Sequence, residues 1–439
     1  MTKDTITGID VGSSKVTTII ANKQNDQISV VGVATYKSKG IKKGVIVNID
    51  DAISSVSECL EAAERMAGFN VSEAYISLGC KQISSTNNKG VVAISKDEIG
   101  QDDITRAIDS AKAISIPQSR EIMHVIPKEF IVDSQGGIKD PSGMSGIRLE
   151  VDTHIITVSS MVYKNLEKCI NQVGLAVKSV VFSGWADAEI MLSDTEKELG
   201  VMLVDIGFGV SDIVIYQEDS IVFSASVPIG SANITNDIAI GLRLSIQDAE
   251  KVKVQLPSLI KHARIRKEKE TNDSKYMYTK KTQSSIPLLK TENLVLKLSD
   301  IGIKSENGFD DIPMHVLDDI INARLEEIFA SIEKEVSASG FNCRMPSGVI
   351  FTGGGAKLAS LKQEAQRYFS TAVRIGMANN LSGSSDEISG PMFSTVQGLI
   401  AFGFNQNPKN KSQGGRSSLR DFGKESAGGI IGWIKSLIP

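Results

Sequence analysis

Gly8-Ile9-Asp10-Val11-Gly12-Ser13-Ser14-Lys15 and its echo, Leu203-Val204-Asp205-Ile206-Gly207-Phe208-Gly209, decide how the 439 residues are read. In each, an apolar run ends on Asp and Gly follows two residues later. A second run of apolar and β-branched residues comes next, KVTTIIA in one and VSDIVIY in the other. This pattern around a Gly predicts strand, tight turn, strand. Asp10 and Asp205 stand 195 residues apart. That spacing predicts a duplicated α/β domain with one insertion, against the alternative of two unrelated strand turns.

Outward from the first turn, ISVVGVATY continues the sheet. DDAISSVSECLEAAERMAG carries apolar residues at Ile53, Val56, Leu60 and Ala63, a helical period closed by Gly68. VSEAYISLG returns to a strand, so strands and helices alternate as in an α/β layer. From about 84 to 160 the texture changes: GVVAIS, a helical DDITRAIDSAKAI, then HVIPKEFIVD and EVDTHIITVSS predict a small α+β insert. NLEKCINQVGLAV resumes a helix and SVVFSG a strand. Beyond the second turn, the charged, weakly periodic residues 262–311 predict a surface hairpin or loop. MHVLDDIINARLEEIFASIEKEVSASG is a helix, and GVIFTGGGAKLASLKQEAQRYF a strand, a triple-Gly turn and a helix. Residues 405–427 have linker composition, with five Lys and Arg against two Asp and Glu.

Composition excludes several classes. Apolar residues make up 41%, enough for real cores, and the net charge of −4 leaves no overall nucleic-acid footprint. Cys59, Cys80, Cys169 and Cys343 form no CxxC pair and suit a reducing compartment. His124, His154, His262 and His315 show no zinc-ligand spacing. The start, MTKDTITGIDVG, lacks the apolar core of a secretory signal, and no window reaches 18 apolar residues.

The turns have a chemistry. Backbone N–H groups at the tip of a strand-turn-strand hairpin form a concavity that attracts phosphate oxygens. Gly12, Gly207 and Gly209 keep the tips free of bulk, Ser13 and Ser14 add hydroxyls, and Lys15 adds a positive charge. Asp10 and Asp205 repel phosphate, so a Mg2+ between them, held through water, resolves the conflict. Gly353, Gly354 and Gly355 permit close approach of a flat or charged ligand. The spacing is neither a dinucleotide fingerprint nor a P-loop.

These motifs, in this order, resemble the actin-like ATPase superfamily. GIDVGSSK is similar to its first phosphate loop, LVDIGFGVSDIVIY to the second and FTGGGAKLASL to the adenosine motif. QDAEKVK resembles the adenosine-contacting helix, which implies that Glu250 and Lys253 meet the ribose or base and that Gly230 backs the nucleotide. SKGIKKGVIVNIDDAISSVSECLEAAERMAG, HVIPKEF, GIKDPSGMSG, VRIG and STVQGLIAFG narrow the resemblance, along nearly the whole chain, to the FtsA family of cell-division proteins. The fold implied is α/β: duplicated, ribonuclease-H-like actin-type ATPase domains with an inserted α+β subdomain 1C. The boundaries implied are 1–83 and 161–198 for subdomain 1A, 84–160 for 1C, 199–240 and 346–404 for 2A, and 241–345 for 2B. Phe208, Val210 and Ser211 depart from the family's second turn. No Glu or Gln clearly occupies the helix FSGWADAEIML where hydrolytic relatives position water, and Glu189 reads as a surface residue. The expectation is ATP binding with at most slow hydrolysis.

The last stretch, 428–439, places Ile430, Ile431, Ile434, Leu437 and Ile438 on one helical face with Trp433 beside them. Such a helix reaches roughly 15 Å, too short to span but suited to lie in a membrane interface. The basic linker before it is drawn to anionic lipid. The resemblance further implies a peripheral protein of the inner face of the bacterial cell membrane at the division site. It would self-associate into filaments, bind the C-terminal tail of the tubulin-like protein FtsZ through 2B, and contact later division proteins. Two other readings stay open: a sugar or metabolite kinase of the same clan, and a pilus-assembly or rod-shape relative.

Overall fold

A computed structural model describes residues 5–24, 27–275, 294–303, 310–378, 381–383, 388 and 390–406. The C-terminal segment read as a membrane anchor lies outside the described residues, as does the linker from residue 407.

The chain opens with β1 (Thr5–Val11), β2 (Lys15–Gln24) and β3 (Gln27–Lys37). A two-residue ladder of β4 (Ile41–Lys42) and β5 (Val45–Ile46) follows, then α1 (Ile49–Ala67) and β6 (Glu73–Leu78). The ends of α1 follow from the sequence. The Asn48 side chain accepts from the amides of Asp50 and Asp51, and Gly68, at φ 81°, ends the helix in the left-handed region. After the insert come α3 (Ser160–Gln172), β11 (Ala176–Phe182), α4 (Ser183–Met191) and α5 (Asp194–Leu199). The first sheet has the order β11-β6-β1-β2-β3.

The second half repeats this plan. It contains β12 (Val201–Ile206), β13 (Ser211–Gln217), β14 (Ser220–Val227), β17 (Val349–Thr352) and β18 (Val373–Ile375). Its order, β18-β17-β12-β13-β14, matches the first strand for strand. In both sheets the hairpin pairs are antiparallel and the later two pairings parallel. Between β14 and β17 lie α6 (Ser231–Leu242), α7 (Ile246–Lys275), the short strands β15 (Val295–Lys297) and β16 (Asp311–Pro313), and α8 (Met314–Ala338). These share one apolar core with the second sheet and with α9 (Leu361–Phe369).

The charged run from 262 departs from the expected loop, because α7 continues through it to Lys275. Among the described side chains of α7, Leu256, Leu259 and Ala263 are buried. Past that point the sequence carries no apolar stripe, but its Lys, Arg and Glu are good helix formers, so the helix continues without the periodicity that announces one. Among the described residues of the expected hairpin, β15 and β16 pair antiparallel.

Residues 346–404 also divide differently from expectation. β19 (Leu381–Gly383) pairs with β3, and α10 (Ser394–Asn405) packs on the first sheet rather than the second. Val396, Leu399, Ile400, Phe402 and Phe404 bury against Ile6, Ile19, Tyr75 and Ala186. The chain thus crosses from the second half back to the first before residue 406. α10 crosses α4 so closely that a Cβ on Gly398 would stand 1.9 Å from the Ala186 carbonyl oxygen.

The insert, β7 (Ser84–Ala93), α2 (Gln101–Lys112), β8 (Arg120–Val132), β9 (Gln135–Ile138) and β10 (Arg148–Ser159), forms a four-stranded sheet with its own core. Though it leaves the chain in the first half, it caps the open edge of the second sheet. Ser85 Oγ donates to Ser224 O at 2.7 Å and accepts from Ser224 N at 3.0 Å. Asn87 Nδ2 donates to Val222 O, and Ser220 Oγ to Lys128 O. His154, fully buried, lies 2.8 Å from Asn87 Oδ1 and 2.9 Å from Ser224 Oγ. Burial, with minor contributions from Lys128 and His124, lowers its pKa to about 3, so it stays neutral and can both donate and accept.

Gly398→Ala tests the crossing. Overpacking against a backbone oxygen should cost at least about 1–3 kcal/mol and lower the melting temperature by several degrees. An unchanged melting temperature would show that the two helices separate freely.

Candidate functional site

The two matched hairpins meet at one cleft. Gly12 N donates to Lys15 O at 3.1 Å, and Gly207 N to Val210 O at 3.0 Å. A Cβ on Gly12 or Gly207 would stand 2.8 or 3.0 Å from the carbonyl oxygen that closes its own turn. The two turns therefore share one geometry that needs Gly at its first position. Together they line a cavity of about 280 Å³ with Asp10, Asp205, Ser77, Glu250 and the triple Gly.

Of the residues expected at a site, Asp10, Gly12, Ser13, Ser14, Lys15, Asp205, Gly207, Gly209, Glu250, Lys253, Gly353, Gly354 and Gly355 all line this cavity. Gly230 does not. It stands behind the second turn, where a Cβ would meet the carbonyl oxygens of Gly207 and Phe208 at 2.7 Å. Its role is to let α6 start against that turn, and Ser231 N and Ala232 N donate to those same oxygens. Lys15 lines the cavity with its ammonium already engaged. Its Nζ donates to Met392 O at 2.8 Å and lies 3.9 Å from the centre of the Phe393 ring. Lys253 is held internally by Glu250 at 2.7 Å, Thr235 at 2.8 Å and Ser231 O at 3.2 Å. Glu250 remains partly exposed to the cavity. Gly353 has φ +83°, and a Cβ there would stand 1.8 Å from Asp205 Oδ1, whereas a Cβ on Gly354 would meet nothing within 4 Å.

Two carboxylates escaped the sequence reading. Asp212 pairs directly across from Asp205 in the β12–β13 ladder, an arrangement of like charges that destabilises a sheet. Its side chain accepts from Ser226. Asp187 lies on α4, fully buried, and accepts from Thr395 at 3.1 Å. Glu189, the acid noticed on that helix, instead meets Asn405. Neither stands out locally: Asp212 sits in VSDIVIY and Asp187 in SGWADAEIM beside Glu189, and only the tertiary structure brings them to the other acids.

Burial raises the pKa of all four acids. Asp10 is raised by burial and partly restored by its bond from Ser77 and by Lys15. Asp205 is pushed up to about 7 by burial and then by Asp10. Asp187 and Asp212 are raised well above the usual range, by burial first and by Asp205 second. Asp187 Oδ2 and Asp205 Oδ1 are buried with no hydrogen-bond partner. Among the described residues no cluster of His, Cys, Asp and Glu is arranged to hold a metal ion by itself. The donor set is nevertheless that of a hard cation with retained water: carboxylate oxygens, two of them unsatisfied, beside donor-rich turns.

A family model described as the SHS2 domain inserted in FtsA matches residues 80–157, and one described as cell division protein FtsA matches 202–398. The cell division protein FtsA of Borreliella burgdorferi is 35% identical over 437 residues, covering 99% of each chain. That of Pseudomonas aeruginosa is 32% identical over 408, covering 93% of this chain and 91% of the other. This chain belongs to the FtsA family of cell-division proteins. Its fold is the actin-like ATPase fold with the inserted α+β domain of that family. A chain of the PilM-PilN type IV pilus biogenesis complex superposes with TM-score 0.60 at 13% identity, over 91% of this chain and 98% of that one. The ethanolamine utilization protein EutJ from Carboxydothermus hydrogenoformans gives TM-score 0.50 at 12% identity, over 92% and 91%. Among the described residues no helix is long and apolar enough to cross a membrane.

The raised acids make a prediction for the ligand-free protein. A carboxyl with a raised folded pKa carries no burial penalty below its unfolded value near 3.8; the penalty grows as pH rises and is complete above the folded value. For Asp205 that window runs from about 3.8 to about 7. Asp205→Asn should therefore stabilise the ligand-free chain at pH 8, by on the order of 2–4 kcal/mol, and change little at pH 4. Thermal melts at the two pH values read this, and equal effects at both would remove the repulsion argument.

Proposed function

We propose that the chain is an ATP-binding, actin-like cell-division protein that polymerises on the inner face of the cell membrane at the division site. It ties filaments of FtsZ to that membrane and helps bring in later division proteins. The observation that carries the nucleotide reading is the pair of matched turns at 12–15 and 207–210, opening on one cavity beside buried acids. The turn amides and the Ser13 and Ser14 hydroxyls take the phosphates, Glu250 takes ribose hydroxyls, and the triple Gly lies against the adenosine. Lys15 joins the phosphates by leaving Met392 O. Asp10 and Asp205 hold Mg2+ through water, which neutralises both the acids and the phosphates. Hydrolysis is at most slow, since neither Glu nor Gln on α4 faces the cavity.

Family membership supports the cellular part. Residues 84–160 are read as subdomain 1C, meeting a neighbouring protomer and later division proteins, and 241–345 as 2B, receiving the FtsZ C-terminal tail. Residues 428–439 lie on anionic lipid through Ile430, Ile431, Trp433, Ile434, Leu437 and Ile438. Six half-buried apolar groups contribute on the order of 5–8 kcal/mol before ordering costs. One such helix exchanges, whereas an array gains ~10²–10⁴ in avidity, so polymer and anchor reinforce each other.

The full-length chain with ATP, Mg2+ and anionic vesicles should form membrane-bound filaments in electron micrographs and carry FtsZ onto the vesicles. Removal of 428–439 should leave filaments and release them from lipid. Absence of ATP uptake in calorimetry, or undiminished lipid binding after the deletion, would defeat the corresponding half of the reading. Gly354→Ala separates fold from site. With open space around its Cβ, it should leave the ligand-free melting temperature unchanged but weaken ATP binding about tenfold. Equal affinity would remove the triple Gly from the ligand.

A further inference from the structure

α4 begins without a side-chain cap of its own. A buried N–H at a helix start must find an acceptor, and the Phe182 amide finds His124 Nε2 at 3.1 Å. His124 belongs to the insert. Its ring also stands edge-on to Trp185 of α4, with centroids 4.8 Å apart at 80°. The strand that carries it is built for this contact. In the β8–β10 ladder His124 faces Ile156 and Ile122 faces Thr157, so Met123 is an extra residue and β8 bulges there. Bulges re-aim side chains, and here three successive residues, Met123, His124 and Val125, are buried, so β8 is covered on both faces where His124 leaves it. At the far end of α4, Arg374 of β18 donates to Met191 O at 2.7 Å and grips Glu196 of α5. Between these ends stands Asp187, whose Oδ2 has no partner.

We propose that His124 is a positioning residue of the cleft: through its hydrogen bond to the start of α4, the insert sets where Asp187 stands against Asp205. α4 is nine residues, roughly 13 Å, and too short to bend within itself. A shift of its first turn is therefore passed to Asp187, four residues along from Ser183, and through it to the neighbouring Asp205, where a displacement of about 0.5 Å already matters for a cation-binding carboxylate. Burial keeps the imidazole neutral, so the Nε2 lone pair stays available and the ring proton sits on Nδ1. By reciprocity, whatever the cleft binds then favours one placement of the insert, and a partner that shifts the insert alters affinity at the cleft. The binding side of this inference rests on the Mg2+–ATP reading; the mechanical side does not.

The test uses the full chain with His124→Asn, whose amide is too short to reach Phe182 N, and His124→Gln, whose carbonyl oxygen can. In the ligand-free state, amide exchange at 182–187 should speed up about tenfold in the Asn variant and return close to wild type in the Gln variant. Exchange in α2 should not move. With ATP and Mg2+, calorimetry should give an affinity about fivefold to tenfold weaker for Asn, rescued by Gln. In an Asp187→Asn background the same substitution should cost nothing further. Unchanged exchange at 182–187, or losses at His124 and Asp187 that simply multiply, would overturn the proposal. If the wild-type chain takes up no ATP, the nucleotide reading fails, and the exchange measurement still decides this one.

Discussion

Four acids at the meeting of two sheets, Asp187, Asp205 and Asp212 buried and Asp10 half-buried, are the constraint around which the rest is arranged. Asp10, Asp187, Asp205 and Asp212 share one region from which water is largely removed. Charged together they would repel strongly, and desolvation would add to that cost. Burial and mutual repulsion shift all four toward their protonated forms, and Ser77 and Lys15 relieve Asp10 in part. Burying charged acids together costs stability, so they mark a place where the fold departs from its own optimum. Sites that violate the rules of packing are where function concentrates.

The duplication explains how two of the four, Asp10 and Asp205, reach one point. Each half carries its Asp one residue before the end of its first strand and turns back through the same hydrogen-bonded hairpin, so the two strand ends face each other once the halves close. Closure is not left to the cleft alone. The chain returns from the second half to lay β19 and α10 on the first sheet, and α10 crosses α4 at Gly398 with no room for a methyl group. The loop just before α10 touches both halves: Pro391 O accepts from Gly353 N, and Met392 O from Lys15 Nζ.

Much of this was legible in the sequence where a local rule governs. Asp10 and Asp205 were visible because each interrupts an apolar strand just before a Gly, and α1 because its cap and its stripe agree. Asp187 and Asp212 were not, since a single Asp in an apolar segment has no local meaning until tertiary structure brings it to the others. The length of α7 was hidden because a solvated helix carries no apolar period. The destination of α10 was hidden for the opposite reason. A helix buried almost all round announces burial but not which sheet buries it. Lys15 fits its motif, yet its present partners come from residues 392 and 393, far along the chain.

The seam between insert and second half shows what kind of contact joins the parts. Each half and the insert are filled by apolar side chains, mostly aliphatic, which fit many geometries about equally well. The seam is made instead of Ser85, Asn87, His154 and Ser224, each hydrogen-bonded to another or to the β14 backbone. Such a network adds little net stability, because every bond replaces one to water. It is satisfied in one placement, however, and any slip leaves buried polar atoms unpaired at a cost of about 1–3 kcal/mol each. The insert is therefore held in register against β14, while His124 on its next face holds α4. A body that emerges from one half, locks to the edge of the other and touches the helix between them cannot stay still while the cleft opens.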